Sequence, residues 1–149
     1  MSSKLLLAPA LLLAAGFANA TDLFDPYVGQ THIPMGVLLN GTLNDTNGNA
    51  EPWVAQLYAG AGECLSLFVD STEFDAKLVV AAPNGTVFRD DNSGGELRPW
   101  VNVDPTPMQG WYTVQVAHSA GLPQNANFQL VYSRYSKDNV NCGTVTHPL

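Results

Sequence analysis

Short stretches in which hydrophobic and polar residues alternate run through most of the chain, separated by turn-forming residues. In the stretch Gly110–Val116, Tyr112 and Val114 share one face with Val116, and Asn127–Tyr132 repeats the pattern. A period of two residues is typical of a β-strand with one buried face, because successive side chains point to opposite sides of a sheet. Beyond residue 20 no segment has the sustained apolar repeat of about 3.6 residues that marks a helix.

About eight such stretches are predicted as strands: Val37–Leu43, Trp53–Tyr58, Cys64–Val69, Leu78–Ala82, Thr86–Arg89, Pro99–Val103, Gly110–Val116 and Asn127–Tyr132. The pair Asn84-Gly85 predicts a tight hairpin, because both residues tolerate positive φ. Strands at this spacing favour an all-β fold, namely a jelly-roll-like antiparallel β-sandwich. Residues 21–36 have no clear period, so they are predicted as an irregular N-terminal arm before one sandwich domain over residues 37–149.

The first twenty residues follow another pattern. Lys4 precedes an apolar run from Leu5 to Phe17, and Ala18-Asn19-Ala20 closes it with small residues around a polar one. This order predicts that residues 1–20 are a secretory signal peptide cleaved after Ala20. An uncleaved membrane anchor is the alternative, although the run is short for a spanning helix. The sequence therefore predicts a secreted or periplasmic protein with no membrane span after cleavage.

The chain has two cysteines, Cys64 and Cys142. An exported protein meets an oxidising compartment, so the two are expected to pair. Closing a loop of this size is worth about 4 kcal/mol in the chain-entropy model. A redox pair or a metal site is the alternative, but the chain has no CxxC motif and two thiols alone make a poor metal site.

The composition is acidic, with 13 Asp and Glu residues against 6 Lys and Arg residues. Lys4 belongs to the predicted signal peptide, so the mature chain has five cationic side chains and a net charge of -8. An acidic protein repels the phosphates of nucleic acids, which excludes nucleic acid as a favoured partner. It also lacks the clusters of Lys and Arg that hold proteins on anionic lipid.

Several motifs follow one another in a definite order: Asn40-Gly41-Thr42-Leu43, Gly62-Glu63-Cys64-Leu65, Phe74-Asp75, Pro83-Asn84-Gly85-Thr86, Asp90-Asp91-Asn92 and Gly110-Trp111-Tyr112. In this order the stretch from Leu38 to Tyr132 resembles the bacterial pre-peptidase C-terminal domain. Members of that family are β-sandwich modules, often appended to secreted peptidases. The resemblance implies a bacterial source, export and a β-sandwich, with a secreted protease as one expected partner.

An acidic cluster is the first candidate site, with Asp75, Asp90, Asp91 and Asn92 as its candidate metal ligands. Calcium takes six to eight oxygen ligands, and this set supplies carboxylate and amide oxygens. The predicted hairpin returns the chain, so Asp75 and Asp90 are expected at the same end of a sheet. Related collagen-binding modules carry calcium, so the resemblance adds to this expectation. The alternative is that these side chains only cap turns.

Aromatic residues are the second candidate site. Tyr112 and Tyr132 fall on the inward side of their strands, whereas Trp111 alternates outward beside Gln115. Trp111, together with Trp100, is therefore the candidate for stacking on sugar rings or peptide side chains. Ordinary packing of both tryptophans is the alternative.

A catalytic site is not evident in the sequence. His32, His118 and His147 lie in no HExxH motif, and the chain has no Gly-x-Ser-x-Gly elbow or P-loop. The favoured prediction is a non-catalytic module that binds a peptide, a glycan or an envelope partner. One alternative is a structural or stress-related envelope protein, and another is a small secreted hydrolase in which Asp75 and Asp91 act as a carboxylate pair.

Overall fold

The computed structural model describes residues 33–43, 45–46, 49–50, 52–120, 126–137 and 139–142. Within these residues the chain forms ten strands: β1 (Ile33–Leu43), β2 (Asp45–Thr46), β3 (Asn49–Ala50), β4 (Trp53–Ala59), β5 (Cys64–Asp70), β6 (Asp75–Ala81), β7 (Val87–Asp90), β8 (Trp100–Val103), β9 (Gly110–Ala120) and β10 (Ala126–Tyr135). The described residues contain no helix, and hence none that could cross a membrane. The predicted signal peptide and residues 21–32 lie outside the described residues.

Eight of the strands form two four-stranded antiparallel sheets, in the orders β1-β10-β5-β8 and β4-β9-β6-β7. The short strands β2 and β3 pair only with each other. Buried side chains from both sheets make one core, so the predicted β-sandwich is confirmed. Antiparallel strands bury one side and leave the other for solvent or ligands, which is why the outer faces matter for function.

The alternation of hydrophobic and polar residues in the sequence determines which side chains of each strand face the core. Tyr112 and Val114 on β9 are fully buried, and so is Leu130 on β10, which pairs with Val69 on β5. The predicted hairpin between β6 and β7 is also confirmed, with Gly85 at φ 85° and the Ala82 amide donating to the Thr86 carbonyl at 2.8 Å.

The start of the first strand differs from the prediction. β1 begins at Ile33 rather than at Val37, so the irregular arm predicted over residues 21–36 is wrong for its last four residues. β1 lies at the edge of its sheet, where Pro34 is tolerated because its nitrogen need not donate to a neighbouring strand. The register shifts between Ile33 and Val37, which interrupts the period that the prediction relied on.

The predicted bond between Cys64 and Cys142 is also confirmed. It joins the first residue of β5 to the turn after β10, with the two Cα atoms 5.8 Å apart and 78 positions apart in sequence. The outward residues Cys64, Ser66 and Phe68 of β5 are buried too, each with 5% exposure or less. The outer face of this sheet is thus covered at the disulfide end and open at the end where Asp70 lies.

Tyr112 gives the fold a dependence on alkaline pH. Its hydroxyl is buried and donates to the Met108 carbonyl oxygen at 2.7 Å, and burial raises the Tyr112 pKa above 10.0 because the phenolate would lose its hydration. The folded state holds this proton more tightly than the unfolded state. We expect the resulting stability to be complete below about pH 10 and to fall as the pH rises through the folded pKa.

The check is urea denaturation of the wild type and of Tyr112→Phe between about pH 9 and about pH 11. The variant should lose less stability than the wild type over that interval. Equal losses would show that the Tyr112 proton does not contribute.

Candidate functional site

A polar groove opens on the outer face of the sheet β1-β10-β5-β8, at the end where β1 and β5 finish and β10 begins. It encloses about 470 Å³, within the range of small-ligand sites. Gln129 lies between Asn40 on β1 and Asp70 on β5, and its amide donates to the Asn40 oxygen at 3.2 Å. In the next outward row the Thr42 hydroxyl donates to the Asn127 oxygen at 3.0 Å. The groove therefore carries amide, hydroxyl and carboxylate groups on a rigid sheet.

The segment after β5 forms one wall of the groove. Its Glu73 carboxylate accepts the Asn127 backbone N–H at 2.7 Å, and the Ser71 hydroxyl donates to the Asn127 carbonyl at 2.9 Å. These side chains satisfy the backbone of β10 beyond the last residue that β5 pairs. A Cβ at Gly41 would lie 2.2 Å from the Phe128 ring, so glycine is needed there because this buried ring fills the space on the core side of the sheet.

A loop over residues 91–99 carries the chain from β7 in one sheet to β8 in the other, beside the groove. Asp90 fixes its base, because one carboxylate oxygen accepts the Ser93 N–H at 2.9 Å and the Trp100 N–H at 2.8 Å. The Ser93 hydroxyl donates to the Trp100 carbonyl, and the Gly94 N–H donates to the Arg98 carbonyl. The loop is thus held in one shape by its own hydrogen bonds.

The tip of this loop has an uncommon backbone. Gly95, Glu96 and Leu97 all have positive φ, at 84°, 51° and 64°. A leucine in this region is rare, because its Cβ crowds the backbone, and such residues are held by the structure around them. Leu97 is nonetheless 55% exposed. Arg98 anchors the tip with salt bridges to Asp70 at 3.0 Å and to Glu96 at 3.4 Å.

We call the groove and this loop together the acidic rim. It contains the carboxylates of Asp70, Glu73, Asp91 and Glu96 and the cation of Arg98. Glu73, Asp91 and Glu96 are exposed, and Asp70 is half-buried. Asp70 and Glu96 pair with Arg98, and Glu73 accepts the Asn127 backbone N–H. The rim therefore presents net negative charge around a fixed apolar tip, an arrangement that suits a basic partner surface.

The predicted calcium ligands lie at one end of their sheet, but they do not line up across it. Asp90 pairs with Leu78, whereas Asp75 lies three residues before Leu78 on β6 and pairs with Ala120. One Asp90 oxygen already accepts two backbone N–H groups, which is the turn-capping role. Asp91 and Asn92 are exposed in the loop that follows. Calcium binding by this set stays a prediction.

The two predicted tryptophans lie on different sheets. Trp111 is 44% exposed on the outer side of β9 and packs edge-to-face on Tyr58, with ring centroids 5.5 Å apart. Trp100 is half-buried on β8, and its indole N–H donates to the Ser66 hydroxyl at 2.8 Å. Because they lie on different sheets, the two tryptophans cannot form one stacking platform. Trp111 is the more exposed of the two.

Sequence reasoning missed the groove residues. Asn40 and Thr42 alternate with Leu39 and Leu43, which shows that they point outward, but not what they face. Their partners on β10 are more than eighty residues away in sequence, at separations of 89 for Asn40–Gln129 and 85 for Thr42–Asn127. Strand register is needed to bring them together.

Comparison with known proteins gives a fold but no family. No family model matches the chain, and no curated protein matches it. Among solved structures, the chain is similar to Aeromonas hydrophila PliG, a periplasmic lysozyme inhibitor of g-type lysozyme. The TM-score is 0.55 at 17% identity, over 76% of this chain and 93% of that chain. At this identity the likeness shows the fold alone.

Proposed function

We propose that this protein is an exported, non-catalytic β-sandwich that binds a secreted or periplasmic hydrolase with a basic surface. We infer a lysozyme-type glycoside hydrolase as the first partner to test. The contact surface in this proposal is the acidic rim, with Leu97 entering an apolar depression of the partner. The observation that carries the proposal is the hydrogen-bonded loop that holds Leu97 outward among carboxylates.

Pre-organisation supports a binding role for this loop. Ordering a mobile loop on binding costs free energy, and a loop that is already fixed avoids most of that cost. Leu97 would supply apolar contact, and the surrounding carboxylates would steer a basic partner toward it. The net charge of -8 on the mature chain also attracts a basic partner, and it does so at longer range than the carboxylates of the loop.

The fold of PliG supports the choice of partner class. PliG is a periplasmic protein that inhibits a lysozyme, and most of its chain matches this sandwich. Folds host many functions, so this support is an analogy that the experiment below must test. The predicted signal peptide agrees with the same compartment.

Two other proposals are kept beside this one. The resemblance to the pre-peptidase C-terminal domain makes a secreted protease the second partner to test. The hydrolase alternative needs Asp75 and Asp91 to act together; Asp75 begins β6, and one of its oxygens is buried without a hydrogen-bond donor in the part of the chain that the structure describes. Within the described residues, no structural feature comparable to the fixed loop of the acidic rim supports either of these two proposals.

The test is binding to a g-type lysozyme, measured by calorimetry, together with inhibition of cell-wall lysis by that enzyme. We expect saturable binding that weakens as ionic strength rises, because the attraction is between exposed charges. Asp91→Asn combined with Leu97→Ala should raise the Kd about tenfold or more, as loss of a central apolar anchor and a steering charge does.

A matched control lies at the opposite end of the sandwich. Asp104→Asn combined with Val140→Ala makes the same kind of change at an exposed aspartate and an exposed aliphatic residue. This control should leave the Kd unchanged. The proposal is wrong if neither the lysozyme nor a panel of basic hydrolases binds, or if both double variants lose the same affinity.

A further inference from the structure

The outer face of the second sheet, β4-β9-β6-β7, is open to solvent and lies on the other side of the sandwich from the groove. Its outward residues form cross-strand rows: Gln56–Thr113–Ala81–Val87 and Val54–Gln115–Val79–Arg89, with Tyr58 beside Trp111 in the row before them. All of these side chains are half-buried or exposed. We call this surface the flat face.

One corner of the flat face is aromatic. Tyr58 and Trp111 are paired across β4 and β9 with their rings at 75°, and the Gln109 amide donates to the Tyr58 hydroxyl. This contact holds Tyr58 in place and supports the indole of Trp111, which remains 44% exposed. An indole fixed in this way offers a rigid apolar surface to which the C–H groups of a sugar ring can pack.

The middle of the flat face is polar and shallow. Gln56, Thr113 and Gln115 supply amide and hydroxyl groups, and the side chains beside them are short aliphatic ones: Ala81, Val54 and Val79. An amide offers both donors and acceptors, which suits the hydroxyl groups of a saccharide. A protein partner would be expected to meet a central cluster of large apolar anchors, whereas the large aromatic side chains of this face, Tyr58 and Trp111, lie at one corner.

The far corner of the flat face is cationic. Arg89 pairs with Val79, and Lys77 is two residues from Val79 on the same strand, so the two cations are diagonal neighbours. Neither forms a salt bridge within the described residues, whereas Arg98 and Arg134 each have a carboxylate partner. The carboxylates nearest to Lys77 and Arg89 along these two strands are Asp75 at the start of β6 and Asp90 and Asp91 at the end of β7. Two exposed unpaired cations on so acidic a molecule favour an anionic ligand at this corner.

We propose that the flat face binds an acidic polysaccharide, that is, a chain of sugar rings bearing carboxylates. One sugar ring packs on Trp111, hydroxyl groups bond to Gln115 and its neighbours, and a carboxylate is held by Arg89 and Lys77. Arg and Lys are the side chains that recognise carboxylates. This site lies on the other sheet from the groove, although Asp91 of the acidic rim is only two residues from Arg89 in the chain.

The probe is polygalacturonate, a soluble polymer of uronic acid, with an uncharged polysaccharide of similar length as the neutral comparison. We expect the mature protein to be retarded in native gels that contain polygalacturonate, and its tryptophan fluorescence to change on binding. Trp111→Ala should weaken binding about tenfold. Lys77→Gln combined with Arg89→Gln should weaken it by a similar factor and remove the preference over the neutral polymer.

The controls keep the outcomes distinct. Leu97→Ala alone, which tests the apolar part of the hydrolase contact, should leave polygalacturonate binding unchanged. Trp111→Phe keeps an aromatic ring and should retain most of the binding, so a folding defect in Trp111→Ala would not hide the answer. Absence of retardation, or equal retardation by the neutral polymer, would overturn the proposal. Equal binding of poly-glutamate, insensitive to Trp111→Ala, would replace it with an acidic protein segment as the ligand.

Discussion

Replacement of both bridging cysteines, as Cys64→Ser combined with Cys142→Ser, should lower the free energy of unfolding by about 4 kcal/mol. The bond closes a loop of 78 positions, and its loss restores much of the conformational entropy of the unfolded chain. Position 64 is fully buried, but Asn102 Oδ1 lies 3.4 Å from the Cys64 sulfur and can accept a serine hydroxyl. The loss should therefore come mainly from the missing crosslink. Guanidinium denaturation of oxidised wild type and variant measures it.

Reduced wild type is the natural control for this experiment. With the bond opened by a thiol reductant, the wild type should move to the midpoint of the double variant, and the variant should not respond to the reductant. A loss below about 1 kcal/mol in both would mean that the unfolded chain gains little freedom when the bond is opened.

Arg134→Ala should destabilise the fold by about 3–5 kcal/mol. The Arg134 side chain is 1% exposed, and its guanidinium donates to the Tyr58 carbonyl at 2.7 Å and lies 3.4 Å from the Glu63 carboxylate. That carboxylate also accepts the Gly60 N–H, so the ion pair holds the turn between β4 and β5. Truncation would leave Glu63 and the Tyr58 carbonyl without this partner and create a cavity. Urea denaturation of the variant gives the loss.

Arg98→Ala provides a comparison within the same molecule. Its guanidinium also pairs with carboxylates, but it is 25% exposed, so the loss should be about 1 kcal/mol or less. Arg134→Met combined with Glu63→Gln should recover part of the stability lost in Arg134→Ala, because volume is kept and no unpaired charge remains buried. Equal losses for Arg134→Ala and Arg98→Ala would contradict a stabilising role for the buried pair.

The strands were predictable wherever one side of a strand is buried and the other side is exposed to solvent. β9 and β10 show this, because Tyr112 and Leu130 lie in the core while Trp111 and Gln129 face outward. β5 is different, since both of its sides are buried near the disulfide. Alternation along one strand cannot reveal what covers its second side, so the closed half of that sheet was not foreseen.

The candidate sites were predictable only as far as local sequence determines them. The outward position of Trp111 follows from the period of its own strand. The expectation for Asp75 and Asp90 was correct about the end of the sheet, but the row that each occupies depends on the hairpin register. The groove needs the pairing of β1 with β10, and the exposed setting of Leu97 needs three consecutive positive φ angles. No short sequence motif predicts either the strand pairing or the backbone conformation at Leu97.

The position of Cys142 fixes the order in which the molecule can mature. Cys142 follows all ten strands in the chain, while Cys64 opens β5 and pairs across the ladder with Tyr135 at the end of β10. In the growing chain, Cys64 therefore stays without its partner until all of these strands have been synthesised. An oxidase that acts on an incomplete chain would find no partner for Cys64, so the bond cannot assist the folding of the strands made first.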